Sequence, residues 1–166
     1  MVLTKKFSFT FILFLLLGLN CCTKQASFTS YRSLGSEGMS AKPYVFELND
    51  LSIDNTPQNL FIRLRNDNSY PFTNIFLICT LKSGENIVLE DTLEYTMAAP
   101  DGSWLGKGFT EAKESKLWCK EGVVFPREKP VVVEISQAMR NNGSAEGISS
   151  LKGIVSVGLS IEAQNQ

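Results

Sequence analysis

Leu60-Phe61-Ile62-Arg63-Leu64-Arg65 places an aliphatic residue at every second position, alternating with Phe61, Arg63 and Arg65, and this stretch decides the fold class. Successive side chains of a β-strand point to opposite faces, so Leu60, Ile62 and Leu64 share a buried face while Arg63 and Arg65 look outward. The same period of two runs through both flanks. Upstream, Tyr44, Phe46 and Leu48 alternate with Val45 and Glu47. Downstream, Asn74 to Lys82 is apolar on both sides, as a central strand would be, and Ile87, Leu89, Leu93 and Tyr95 alternate with Val88, Glu90, Thr92 and Glu94. Asp91 falls on the apolar register there and is expected to mark a bulge. Ser83-Gly84 between the two segments is a tight hairpin signal.

Further strands are expected at Leu117–Phe125, at Val131–Gln137 with Val131, Val133 and Ile135 inward, and at Gly153–Glu162 with Val155, Val157, Leu159 and Ile161 inward. Only Thr110–Lys116 and the stretch after Gln137 suit a short helical turn. About seven to eight short strands, with no repeat and no βαβ alternation, predict an antiparallel β-sandwich, Ig-like or jelly-roll-like.

The amino terminus reads differently. Lys5-Lys6 precede an apolar run, Phe7–Leu19, and then Asn20-Cys21-Cys22. A positive segment before a short apolar one is a secretory signal, and the run falls short of the roughly 20 residues needed to cross a hydrocarbon core. A cysteine at the cleavage point is the bacterial lipidation site, where several acyl chains together make anchoring stable. Cys22 is preferred, because it places Leu19 three residues upstream and the small Cys21 just before the cut; the alternative, Cys21, puts Asn20 there. An ordinary signal peptide is disfavoured, since nothing resembling A-x-A precedes a cut. The expected organisation is a signal peptide at 1–21, a lipidated flexible linker at 22–42 rich in Ser, Thr, Gly and Lys, and a single domain at 43–166. Removing residues 1–21 from the 166-residue chain leaves 145, enough for one core. The 16 basic and 17 acidic residues become 14 and 17 without Lys5 and Lys6, so no basic face for nucleic acid is indicated.

Histidine is absent, which excludes Ser-His-Asp and Cys-His catalysis, histidine-ligated zinc and imidazole acid–base chemistry. No cofactor, metal or enzymatic activity is expected. Cys79 and Cys119 are too few for a cysteine zinc site. In an exported protein the pair invites a disulfide, but their apolar strand-like surroundings favour free cysteines packed as small hydrophobes. Asp50, Ser52 and Asp54 open like a calcium loop, but Asn55 stands where that loop needs glycine and Phe61 where it needs glutamate. Glu90 and Glu94 suggest glycoside chemistry only within a cleft, and alternation puts them on an outer face. Arg63 and Arg65 could take a carboxylate or phosphate group, against the plainer role of coating a solvated face. Asp101-Gly102 is a good turn, and the loop that follows either presents Trp104 to a partner or packs it over the sandwich end.

An ordered set of short motifs carries a resemblance. Arg63-x-Arg65-Asn66 is followed by Tyr70-Pro71-Phe72-Thr73-Asn74, Asp91-Thr92-Leu93 and Asp101-Gly102-Ser103-Trp104-Leu105-Gly106-Lys107-Gly108. Then come Gln137-Ala138-Met139-Arg140, Leu151-Lys152-Gly153-Ile154, Val157-Gly158-Leu159 and Ile161-Glu162. Over nearly the whole mature domain this resembles the gliding-motility lipoprotein GldH family of Bacteroidota. The resemblance implies a lipoprotein anchored in the outer membrane, facing the periplasm, and needed by gliding members for movement over surfaces. It implies no enzymatic activity, and it implies association with other gliding lipoproteins and the type IX secretion apparatus. The chain departs from the family pattern at Arg127-Glu128-Lys129-Pro130, in place of a Gly-Thr-Tyr-like hairpin, and in its longer polar segment Asn141–Ser150. Most of the motif residues are expected to hold turns and packing: Asn66 and Asn74 suit turns, Pro71 a corner, and Gly106 and Gly108 positive φ angles.

Two functional classes lead, ahead of a hydrolase that would need two carboxylates together in a cleft. One is a non-catalytic scaffold or accessory component that binds envelope proteins through the sandwich. The other is a carbohydrate-binding lipoprotein, which requires Trp104, Tyr70 or Phe72 as exposed, coplanar stacking rings.

Overall fold

The computed structural model describes residues 28–49, 56–108 and 111–164. They form ten strands: β1 (Phe28–Ser33), β2 (Met39–Ser40), β3 (Tyr44–Glu47), β4 (Gln58–Asn66), β5 (Asn74–Ser83), β6 (Asn86–Thr96), β7 (Lys113–Val123), β8 (Val131–Gln137), β9 (Ser150–Leu151) and β10 (Ile154–Ala163). One four-stranded sheet has the order β1-β10-β4-β7, a second the order β3-β8-β5-β6, and β2 pairs with β9 in a ribbon. All pairings are antiparallel. At one edge of the stack the Arg32 guanidinium of β1 donates to the Val45 carbonyl of β3 (3.3 Å); at the other, Lys120 of β7 meets Asp91 of β6 (3.0 Å). The sandwich is therefore aligned, with β1 over β3 and β7 over β6.

The alternation of β4 places Leu60, Ile62 and Leu64 in the core beside Val157, Leu159 and Ile161 of β10. Phe46, Ile75, Leu77, Leu81, Val133 and Ile135 face them from the second sheet. Each such side chain contributes about 1.5–3 kcal/mol when fully buried. Cys79 of β5 and Cys119 of β7 form a disulfide between the sheets, their Cα atoms 6.7 Å apart.

Several expectations are corrected. The linker expected over 22–42 lies partly outside the described residues, but from Phe28 onward it belongs to the fold. β1 pairs along its whole length with β10, from Phe28 opposite Ile161 to Ser33 opposite Ser156, and Met39 of β2 is fully buried. Its polar composition is that of an edge strand with one wet face. The helical turn expected at Thr110–Lys116 is instead the start of β7: Thr110 lies outside the described residues, and Ser115 and Leu117 alternate inward. After Gln137 there is no helix among the described residues; a bridge between Arg140 and Gly147 folds the loop back on itself.

Asp91 keeps its register opposite Cys79, and the bulge falls instead beside it, between Leu81 and Lys82 against Leu89 and Ile87. The Lys120 ammonium balances the Asp91 carboxylate, so the strand need not kink there. The bulge turns Ile87, expected inward, out to 58% exposure. A second bulge between Ile154 and Ser156 sends Ile154 rather than Val155 into the core. Phe61, on the outer register of β4, is nonetheless buried, because Trp118 lies against it with ring centroids 4.4 Å apart and the Lys116 ammonium sits 3.9 Å over its ring.

Candidate functional site

Strand direction sorts the loops to two ends. The Phe28 end collects the start of β1, the β5–β6 hairpin at Gly84-Glu85 and the connection 124–130; the loop-rich end collects 67–73, 97–108 and 138–149. Most of the motif residues converge at the loop-rich end.

Tyr70 is the keystone of that end. It is buried, donates its hydroxyl to the Asn74 carbonyl at 2.8 Å, and packs edge-on to Phe72 at 5.7 Å and tilted against Trp104 at 6.1 Å. Burial pushes its phenol well above the ordinary range. Trp104 is half-buried, bridged to Ala98, and donates its indole N–H to Asn68 Oδ1 (3.0 Å). Trp104 thus packs over the sandwich end. The three rings are not coplanar, with interplanar angles of 65° and 44°, so they do not form the stacking platform that carbohydrate binding requires.

Asp101 accepts from the Ser103 N–H (2.9 Å) and hydroxyl (2.6 Å), and the latter bond foremost lowers its pKa. Gly102 follows at φ +84°, completing the turn. Gly106 and Gly108 are needed for space, not for a positive φ: a Cβ would meet Ser115 Oγ at 3.0 Å at the first and the Ala112 carbonyl oxygen at 2.6 Å at the second. The close approach lets Lys107 and Glu114 exchange two backbone hydrogen bonds of 2.8 Å. Asn66 is fully buried, Pro71 is exposed at the corner, and Asn74 donates to Glu94 at 2.7 Å.

A groove of about 570 Å³ opens beside this cluster, lined by Phe72, Asn74, Phe76, Met139, Arg140 and Asn142. Met139 is buried and its sulfur accepts the Phe76 N–H (3.3 Å), which fixes the groove floor. Gln137 holds the wall by accepting from the Met139 N–H (2.8 Å) and donating to the Ile148 carbonyl. Arg140 is exposed at the rim and makes no ion pair among the described residues. An apolar floor with one cation at its rim suits an apolar side chain followed by a carboxylate.

Arg63 and Arg65 are elsewhere, on the outer face of the β1-β10-β4-β7 sheet, and each is already ion-paired. Glu114 takes Arg63 at 3.4 Å and Arg65 at 2.7 Å, Glu162 takes Arg63 at 3.3 Å and Lys116 at 2.6 Å, and the Tyr31 hydroxyl donates to Glu114 at 3.1 Å. Arg65 also stacks over the Tyr31 ring at 4.6 Å. The carboxylates these arginines bind are the chain's own. Glu90 and Glu94 stand on the outer face of β6, bonded to Thr80 (3.2 Å) and Asn74 (2.7 Å), not in a cleft. Asp50, Ser52, Asp54, Cys21 and Cys22 lie outside the described residues. Among the described residues no group of three His, Cys, Asp or Glu could hold a metal ion.

A family model described as GldH lipoprotein matches residues 28–161. The chain belongs to the GldH lipoprotein family. It is 45% identical over 157 residues to a gliding motility lipoprotein GldH homolog of Christiangramia forsetii, covering 94% of this chain and 92% of that one. It is 43% identical over 145 residues to the gliding motility lipoprotein GldH of Flavobacterium johnsoniae, covering 87% and 89%. No solved structure matches. The GldH match starts at Phe28, the first residue of β1, which agrees with β1 being part of the domain.

Sequence reasoning missed three members of this GldH framework: Asn68, which orients Trp104, Phe76 in the groove, and Glu114, which ties the arginines down. The alternation Glu114-Ser115-Lys116-Leu117 carried a signal for the last, since it places Glu114 on the same outer face as Arg63 and Arg65.

Proposed function

We propose that this chain is a non-catalytic accessory component of the gliding motility and associated type IX secretion machinery. Residues 1–21 are its signal peptide, and it is anchored by acyl chains on Cys22, or alternatively Cys21, in the outer membrane facing the periplasm. Its working surface is the loop-rich end. The observation that carries this reading is the convergence there of Phe72, Phe76, Met139 and Arg140 in one groove, with Tyr70 backing Phe72, whose rim cation, Arg140, has no ion-pair partner among the described residues. The groove takes a protein segment bearing an apolar side chain next to a carboxylate. Membership of a family whose relatives are named gliding motility lipoproteins supports the setting.

The test is a mild-detergent pull-down of the tagged, acylated protein from its own envelope, compared with Arg140→Glu and Leu105→Asp, both at exposed positions of this end. Loss of the same envelope proteins with Arg140→Glu, in a variant folded by circular dichroism, supports the groove. Equal recovery with both variants overturns it.

A further inference from the structure

We infer that the Phe28 end of the sandwich sits on the lipid bilayer and inserts Ile87, Val88 and Val124 into its interface. The inference rests on the reading of Cys22 as the acylated residue. Five residues, 23–27, separate that cysteine from Phe28, where β1 begins. Fully extended, the link reaches at most about 20 Å. The long strands are longer than that: β10 has 10 residues, a rise of roughly 33 Å. Since β1 pairs with β10 from its first residue, Phe28 opposite Ile161, the link has no slack to borrow from the strand. The domain is held close to the membrane by this end.

The surface there fits that position. Six large apolar residues are exposed among the described residues: Val45, Ile87, Val88, Leu105, Trp118 and Val124. Ile87 (58%), Val88 (50%) and Val124 (53%) are at the Phe28 end. Ile87 and Val88 follow the β5–β6 hairpin, and Val124 follows β7. The connection after Val124 is tied to that hairpin, with the Gly84 N–H donating to the Pro130 carbonyl (2.8 Å) and the Ser83 hydroxyl to the Glu128 carbonyl (2.7 Å). Asp91–Lys120 fixes β6 beside β7 on the adjoining stretch. The hairpin and the connection therefore move as one unit. The bulge that turns Ile87 outward spoils nothing in the core and gains nothing in water; against acyl chains the exposed surface is removed from water. Among the described residues at this end the acids Glu47, Glu85, Glu121 and Glu128 outnumber Arg127 and Lys129, which gives anionic headgroups nothing to attract. Apolar contact, not attraction to anionic headgroups, is the mode of binding.

The full acylated protein is reconstituted into phosphatidylcholine vesicles, and amide hydrogen exchange is compared with that of a water-soluble form made as residues 23–166, without the signal segment or the acylated cysteine. A variant carrying Ile87→Asp, Val88→Asp and Val124→Asp, all at exposed positions, is run beside it, with acylation confirmed by the mass of the amino-terminal peptide. The expected result is protection of 84–89 and 123–125 on vesicles, unchanged exchange at 98–107, and loss of that protection in the triple variant, which still floats with the vesicles. An acylated protein that floats without protection at 84–89 and 123–125 overturns the seating and leaves the anchor intact. A chain with no acyl mass that fails to float overturns both.

Discussion

Asp91 Oδ2 lies 3.0 Å from Lys120 Nζ, and this pair joins edge strands of the two sheets. The side chains are 33% and 45% exposed, so water and salt screen the attraction. A double-mutant cycle with Asp91→Asn and Lys120→Met is expected to return a coupling of about 0.2–1 kcal/mol that shrinks in 1 M salt. A coupling of several kcal/mol would mean the pair is sequestered from solvent.

The disulfide is expected to matter more. Cys79 and Cys119 are 40 residues apart, and cross-linking a loop of that size stabilises by about 4 kcal/mol in the chain-entropy model. Reduction, or Cys79→Ala with Cys119→Ala, lowers the denaturation midpoint without changing the fold. Urea titration of the oxidised and reduced protein measures this, and identical midpoints would refute it.

Alkaline pH probes the same edge. Tyr95 donates its hydroxyl to the Trp118 carbonyl, and burial first, then the Asp91 charge, pushes its pKa from about 10 up to about 12. Below pH 10 the phenol is neutral in both folded and unfolded chains, and its contribution to stability is complete. Between 10 and 12 the unfolded chain releases a proton that the folded one keeps, so stability falls as pH rises, and the contribution is lost above 12. Tyr31 and Tyr70 shift in the same direction. Phenolate absorbance should lag in the folded protein, and Tyr95→Phe should flatten the decline; an unlagged titration would contradict the buried hydroxyl.

Gly153→Ala is expected to be among the most damaging small substitutions. Gly153 has φ +81°, and a Cβ there would fall 2.1 Å from the Tyr70 backbone nitrogen. The left-handed conformation alone costs about 1–2 kcal/mol for an L-residue, and the clash adds to it by displacing the loop that carries Tyr70. Thermal unfolding checks the loss, and altered Trp104 fluorescence checks its direction.

Glu114→Gln should expose what the outer face conceals. It leaves Arg65 without its carboxylate and Arg63 with Glu162 alone. Retention on a heparin column is expected to rise and to be salt-sensitive, with a stability cost of about 1 kcal/mol. Unchanged retention would show the arginines held by packing alone.

The sandwich was legible because its core obeys one rule: Leu60, Ile62 and Leu64, then Val157, Leu159 and Ile161, recur at period two and are all buried. What failed to show was whatever depends on neighbours in space. Phe61 reads as exposed until Trp118 covers it, and Ile87 reads as core until a bulge turns it out. Edge strand β1 hides for the same reason, since one wet face gives it a linker's composition. The motif residues could be named in order, but their meeting at one end, and the pairing that removes Arg63 and Arg65 from it, are properties of sheet order and register.

The exposed edge of β6 has a consequence for a protein tied to a surface. Confinement to two dimensions raises the chance that neighbouring copies collide side by side, which is how unpaired strand edges recruit one another. The bulge beside Val88 and the Glu90-Asp91 and Glu94 carboxylates make that edge a poor template for a further strand, so copies can crowd a membrane patch without zipping into fibrils.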